Sequence, residues 1–161
     1  MKRYALILAL VCLPAFAQTP KPYDQPVSNV YAAGVSFNSA GTPKIAGTAL
    51  YAHLITGGTY AFTVVDALPT NLKPFTVTTN FGAGVAQKVF TVGSVPIYIP
   101  SSAGVSFNGT NTGWMWSTGA MGSVKLKHGW HVYPHVRIAK SSVSNGAGYQ
   151  PIIGVLIGYE N

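Results

Sequence analysis

The feature that most constrains this chain is an alternation of side chains with inverted polarity. Between residues 75 and 89, Phe75, Val77, Phe81, Ala83, Val85 and Val89 share one parity, while Thr76, Thr78, Asn80, Gly82, Gly84 and Lys88 share the other. Alternate residues of a strand point to opposite faces, so each parity is one face of a sheet. The stretch 114–126 sets Trp114, Trp116, Ala120, Val124 and Leu126 against Met115, Ser117, Gly119, Ser123 and Lys125. The stretch 131–138 sets Val132, Val136 and Ile138 against His131, Tyr133, His135 and Arg137. One face is bulky and aromatic, and the other is small and polar. An eight-stranded barrel has room inside only for side chains, and small polar ones fill it while the bulky face meets lipid.

Eight runs of this kind follow one another, near 30–38, 45–56, 59–68, 75–91, 95–108, 114–126, 131–141 and 150–160. The 18 Gly and 11 Pro, with only 8% charged residues, argue against helix. Tight turns at Gly57-Gly58, Gly93-Ser94 and around His128-Gly129 alternate with longer loops at Ser39–Lys44, Ala67–Pro74, Asn108–Gly113 and Ser142–Tyr149. Most runs reach the ~9–11 residues a tilted membrane strand needs. Short turns on one side and longer loops on the other are the habit of bacterial outer-membrane barrels. The pattern predicts an all-β chain, an eight-stranded antiparallel up-and-down transmembrane β-barrel. Outward aromatics near strand ends (Tyr31, Phe37, Phe75, Trp114, Trp116 and Tyr159) suit the two interfacial girdles of such a barrel.

A hexapeptide repeat refines the face assignment. Residues 33–38 (AGVSFN) recur as 103–108, an offset of 70 that carries the second, third and fourth runs onto the sixth, seventh and eighth. The reading is a four-strand duplication. On that plan the outward parity is odd in runs one, four, five and eight and even in the rest, with the second run's parity borrowed from the sixth. The third run then turns Tyr60, Phe62, Val64 and Leu68 outward.

The amino terminus reads as an export signal. Lys2 and Arg3 precede the apolar run Ala5–Leu13 and the exit Ala15-Phe16-Ala17. The expected organisation is a signal peptide over 1–17, a periplasmic lead-in over 18–28 and a barrel domain over 29–161. Cys12 is the only cysteine, so no disulfide staples the barrel and its ladder must hold it.

The last nine residues, Ile153-Gly154-Val155-Leu156-Ile157-Gly158-Tyr159-Glu160-Asn161, resemble the closing strand of small outer-membrane β-barrels of the OmpA/OmpX type. That signal has alternating apolar residues and an aromatic third from the end, and usually a terminal Phe, where this chain has Asn161. The resemblance implies that Ile153, Val155, Ile157 and Tyr159 are read by the barrel-assembly machinery, and that the protein lies in outer-membrane lipid as a monomer.

Chemical constellations are few. The net charge of +7 comes from scattered bases without interleaved aromatics, which gives no nucleic-acid stripe. His131 and His135 share a face but stand about 13 Å apart on a strand, too far to hold one metal alone. With Asp24, Asp66 and Glu160 the only acids, paired-carboxylate chemistry has little support. No catalytic, cofactor or metal site is expected. The inward bases and acid Lys88, Lys125, His131, His135, Arg137 and Glu160 form instead a lumenal polar cluster. Glu160 is read as the acid that offsets Lys88, Lys125 and His131 at the turn end and closes the lower lumen. The expected role is a non-enzymatic outer-membrane barrel with a mostly plugged lumen and a structural or surface-interaction task. Two alternatives stay open. A soluble secreted β-sandwich binding module would accommodate Pro96, Pro100 and Pro134, since a closed barrel has no edge for them. An outer-membrane lipid-modifying enzyme would need its groups brought together by the fold.

Overall fold

Two consecutive glycines set the first tight hairpin: Gly57 and Gly58 take φ of +53° and +87°, the pair of positive values a type I′ turn demands. Hairpins of this sort, repeated along the chain, build the sheet of the computed structural model. It describes residues 29–38, 45–72, 75–109, 111–143 and 149–161, with side chains of 70–72 left aside. The expected signal peptide, the lead-in and Cys12 lie outside the described residues.

The strands are β1 Asn29–Asn38, β2 Ile45–Thr56, β3 Thr59–Leu72, β4 Phe75–Val92, β5 Val95–Asn108, β6 Asn111–Gly122, β7 Val124–Lys125, β8 Trp130–Ser141 and β9 Gln150–Glu160. All pairings are antiparallel and join sequence neighbours except β6 with β8 and β1 with β9, the latter closing the ring from Val30↔Glu160 to Asn38↔Ile152. β7 continues β6 along β8, so the nine pieces form eight staves of a closed barrel. Closure leaves no open sheet edge along the wall, which is what lets a sheet lie in hydrocarbon. At the turn end, Asn29 and Asn161 exchange backbone hydrogen bonds of 2.8 and 3.1 Å.

Two expected loops are strand. β3 runs to Leu72 and β4 starts at Phe75, with a bulge between Pro69 and Asn71, and β6 begins at Asn111. A bulge is where a strand can carry a proline without losing its neighbours.

The registers also correct two faces. β1 and β2 pair odd with odd, Tyr31↔Tyr51 and Val35↔Gly47, so Ile45, Tyr51 and Ile55 face out and Ala46, Thr48, Leu50 and Ala52 face in. β3 turns Tyr60, Phe62, Val64, Asp66 and Leu68 into the lumen, the reverse of the expected face. The four-strand duplication fails there, because β5 and β6 pair odd with even, Val105↔Trp114. The other staves keep their expected faces, with Val136, Ile153, Val155 and Ile157 exposed outside and Arg137, Ile152 and Leu156 buried inside. Asp66, in the middle of the stave, is the residue that sets this face. A carboxylate facing hydrocarbon costs on the order of 3 kcal/mol, more than the parity of a few apolar residues outweighs.

Aromatic pairs on the outer face collect at two heights. Tyr31 meets Tyr51 at a tilt and Trp130 meets Tyr159 edge to face near the turn end, at 5.1 and 5.7 Å. Phe81 with Phe107 and Trp116 with Tyr149, both at 5.9 Å, lie nearer the loop end. Between them the wall is drawn in at inward glycines. A Cβ on Gly104 would stand 1.9 Å from the Phe81 carbonyl oxygen, and one on Gly84 1.9 Å from that of Ser101. Only glycine lets neighbouring staves bend that sharply.

Candidate functional site in the barrel lumen

The lumen is filled by side chains in two layers of opposite character. The loop-end layer is polar. Asp66 from β3 and Arg137 from β8 form an ion pair between Oδ1 and Nη2, with 1% and 8% of their side chains exposed. Thr48 of β2 donates to Asp66 Oδ1 at 2.7 Å, and Arg137 Nη2 reaches Thr48 Oγ1 at 3.3 Å. Ser36 of β1 stands 3.3 Å from Thr48 Oγ1 and 3.2 Å from Nε2 of His135. Five side chains from four staves thus tie the ring across its width. Above them Ser106 donates to Asn80 at 2.6 Å and accepts from Ser141 at 2.8 Å. Met115, Leu68 and Ile152 fill the rest.

A charge in a narrow low-dielectric space is tolerable only when paired and hydrogen-bonded. Both conditions are met here through Asp66, which the outward parity expected for the third run would turn toward lipid. Asp66 Oδ2 and Arg137 Nε make no protein hydrogen bond among the described residues.

The turn-end layer is apolar with a polar floor. Val30, Ala32, Ala52, Phe62, Val64, Ala86, Tyr133 and Leu156 form one buried cluster, with Leu50, Tyr60, Tyr98 and Met121 packed on it. Tyr60 and Tyr98 meet edge to face at 5.7 Å, and His131 stacks on Tyr133 at 5.8 Å. Beneath them the Glu160 carboxylate accepts from Tyr60 OH at 3.2 Å and lies 3.4 Å from His131 Nε2. The other ring nitrogen of His131 is 2.9 Å from Ser123 Oγ. A cavity of about 30 Å³ remains within this layer, bordered by Met121, Pro100, Tyr133 and Glu160 among others.

The six expected cluster residues divide three ways. His131 and Glu160 meet on the floor, and His135 and Arg137 belong to the polar layer above. Lys88 and Lys125 are exposed at the turn end. β3 stops opposite Gln87, the neighbour of Lys88 on that side is the turn residue Gly58, which accepts its N–H at 2.9 Å and has no side chain to cover it, and a bulge follows between Lys88 and Phe90. Glu160 is not the lumen's sole acid: Asp66 serves Arg137. Ile153, Val155, Ile157 and Tyr159 all lie exposed on the outer face of β9. Among the described residues no group of three or more His, Cys, Asp or Glu is placed to hold a metal ion.

A closed ring of eight staves, apolar outside and polar within, has known counterparts. The fold is that of the small eight-stranded outer-membrane barrels. Neisserial surface protein A matches with a TM-score of 0.64 at 9% identity, over 83% of this chain and 96% of that one. The N-terminal β-barrel domain of Pseudomonas aeruginosa OprF matches at 0.60 and 11%, over 85% and 98%. The outer membrane protein AlkL, solved in DMPC lipid bilayers, matches at 0.56 and 10%, over 91% and 95%. At such identities the likeness is one of fold. No protein-family model and no curated protein matches the sequence.

Proposed function

We propose that the protein is a non-enzymatic integral barrel of the outer membrane, with a lumen closed by its own side chains and a structural or surface-interaction role. One observation carries this: the outer wall is the apolar surface and the ion pair is inside. Val35, Phe75 and Ile153 are 63, 67 and 60% exposed, whereas Asp66 and Arg137 are 1 and 7% exposed. In water that arrangement would expose far more apolar surface than a monomer tolerates, and lipid removes the conflict. The two packed layers support a plug, because an eight-stranded barrel has no width left once side chains meet across it. The outer-membrane neighbours support the location.

The test is fractionation of cells making the full chain, followed by gel electrophoresis with and without boiling. The expected result is recovery with outer membranes and a heat-dependent shift in mobility. Recovery as a soluble periplasmic or extracellular protein overturns the reading. Planar-bilayer recording tests the plug: closed baseline current is expected, and a steady open level overturns it.

A further inference from the structure

The staves lean as they rise, and their registers fix by how much. From Glu160 on β9 the pairing passes to Val30 and on through Phe62, Ser102 and Ala139, and returns to β9 at Gln150, ten positions from its start. That slip, shared among eight staves, tilts each strand by about 40° from the barrel axis, given a rise of ~3.3 Å per residue and ~4.8 Å between strands. The circuit climbs roughly 25 Å along the axis, which is also the height of the apolar band of an outer-membrane barrel. Tyr159 and Trp130 mark one boundary of that band. Tyr149, just before β9 and ten positions from Tyr159, marks the other.

A lysine stands at that loop-end boundary. Lys140 pairs with Trp116 and follows Ala139, the partner of Gln150. It shares the outward parity of Val136 and Ile138, which are 49 and 45% exposed on the lipid-facing wall. A lysine at the edge of hydrocarbon ordinarily swings its stem toward water. Here rings hold it: Nζ lies 5.9 Å from the centre of the Trp114 ring and 5.4 Å from that of Tyr149. Trp116 in turn meets Tyr149 edge to face. Trp114 is pinned to the chain just after β8, donating its N–H to Ser142 Oγ at 2.9 Å and accepting the Ser142 N–H at 3.0 Å. The ring faces attract the ammonium but bring no counter-charge. Nor does the rest of the chain supply one. Asp66 is closed on Arg137 in the lumen, Glu160 is at the opposite boundary, and Asp24, the third acid, is outside the described residues. Among the described residues Lys140 is the one lysine or arginine on the outer wall above the turn-end rim.

We propose that Lys140, Trp114 and Tyr149 form a site for the phosphate of one lipid headgroup in the loop-side leaflet. The proposal rests on the outer-membrane reading above, which sets headgroups at this height. A phosphate brings the charge that Lys140 lacks, and a lipid also brings chains that continue down the apolar wall past Ile138. Free phosphate gains only the first of these. Tryptophan and tyrosine each add a donor that phosphate oxygens accept, and both side chains favour this depth. Trp114 and Tyr149 are open to such a ligand, at 50 and 63% exposure. Among the described residues the cation–ring contacts belong to Lys140 alone, and the exposed Lys88, Lys125 and Lys127 of the turn-end rim have none.

The three tryptophans give the test its internal control, since Trp114 and Trp116 flank the site and Trp130 lies at the turn end. The protein is recovered from the membranes of cells making the full chain and delipidated in dodecyl maltoside, a detergent without phosphate. Nitrogen-labelled indole N–H signals are followed while phosphatidylglycerol is added. The expected result is a saturable shift at Trp114 and Trp116, with affinity weakened about five-fold in K140Q and kept in K140R. Trp130 is expected to respond alike in all three proteins. A diacylglycerol with the same chains that shifts Trp114 as strongly overturns the phosphate site. Inorganic phosphate that does so at the same concentration overturns the lipid as its source. Titration of K140Q like the wild type overturns the role of Lys140. Recovery from membranes with no shift at Trp114 or Trp116 overturns the site and leaves the membrane reading standing. Absence from membranes overturns that reading and the site with it. Should K140Q not fold, the wild-type contrast between phosphatidylglycerol and diacylglycerol still decides the site.

Discussion

The loop-end and turn-end halves of the lumen solve one problem in opposite ways. Both must fill a cylinder too narrow for bulk water. The loop-end half does so with a charge pair and hydroxyls drawn from β1, β2, β3 and β8. The turn-end half does so with Phe62, Leu156, Val64 and three tyrosines, and keeps its Glu160–His131 pair on the floor. The polar half depends on completeness, because each buried group needs its partner. The apolar half depends on volume, and it is the half that keeps a cavity. Polar networks fix geometry, whereas apolar packing tolerates small gaps at graded cost.

The largest expected effect comes from removing one member of the ion pair. Asp66→Leu leaves Arg137 buried with its charge uncompensated and should lower stability by about 3–5 kcal/mol. Urea unfolding of the vesicle-embedded barrel checks this. The double variant Asp66→Leu with Arg137→Leu should recover most of the loss, since an apolar replacement of a buried pair is often neutral. If the double variant is as unstable as the single one, the halves do not differ as described.

Leu156→Ala probes the apolar half and should cost about 2–5 kcal/mol by the same measurement. Leu156 is 2% exposed, so its removal enlarges a space the neighbours only partly refill. A loss below about 1 kcal/mol would show a turn-end layer too loosely packed to act as a plug.

The outside of the wall supplies the reference for both. Val136→Arg puts a charge into the lipid-facing band and should cost about 2–4 kcal/mol, against little for Val136→Leu. Tyr133, one face away, is 4% exposed within the packed layer and would confuse lipid cost with overpacking. Equal stability of the Arg and Leu variants in vesicles would refute the assignment of that face.

Glu160→Gln should have the smallest effect, under about 1 kcal/mol, because its pairing with His131 is partly exposed. The substituted barrel should still show no steady current in planar bilayers, since the Asp66–Arg137 layer stands independently above it. A stable open level in this variant would make the floor, and not the polar layer, the principal closure.

Composition, turn chemistry and the period of two determined much of this protein on their own. They specify an all-β chain of eight staves, its tight turns, and the outward faces of β1, β4, β5, β6, β8 and β9, where bulky and small residues alternate cleanly. They do not specify the second and third staves. β2 carries small residues on both faces, and β3 has an apolar set that suits lipid and a packed lumen equally. Only the register of Tyr31 on Tyr51 and of Asp66 on Asn80 decides which way those faces turn. The same holds for the lumen's chemistry. Asp66 and Arg137 lie 71 residues apart, and His131 and Glu160 belong to different staves. Local sequence governs the pitch of a strand, but which side chains meet across a barrel follows from the shear with which the ring closes, a property of all its staves together.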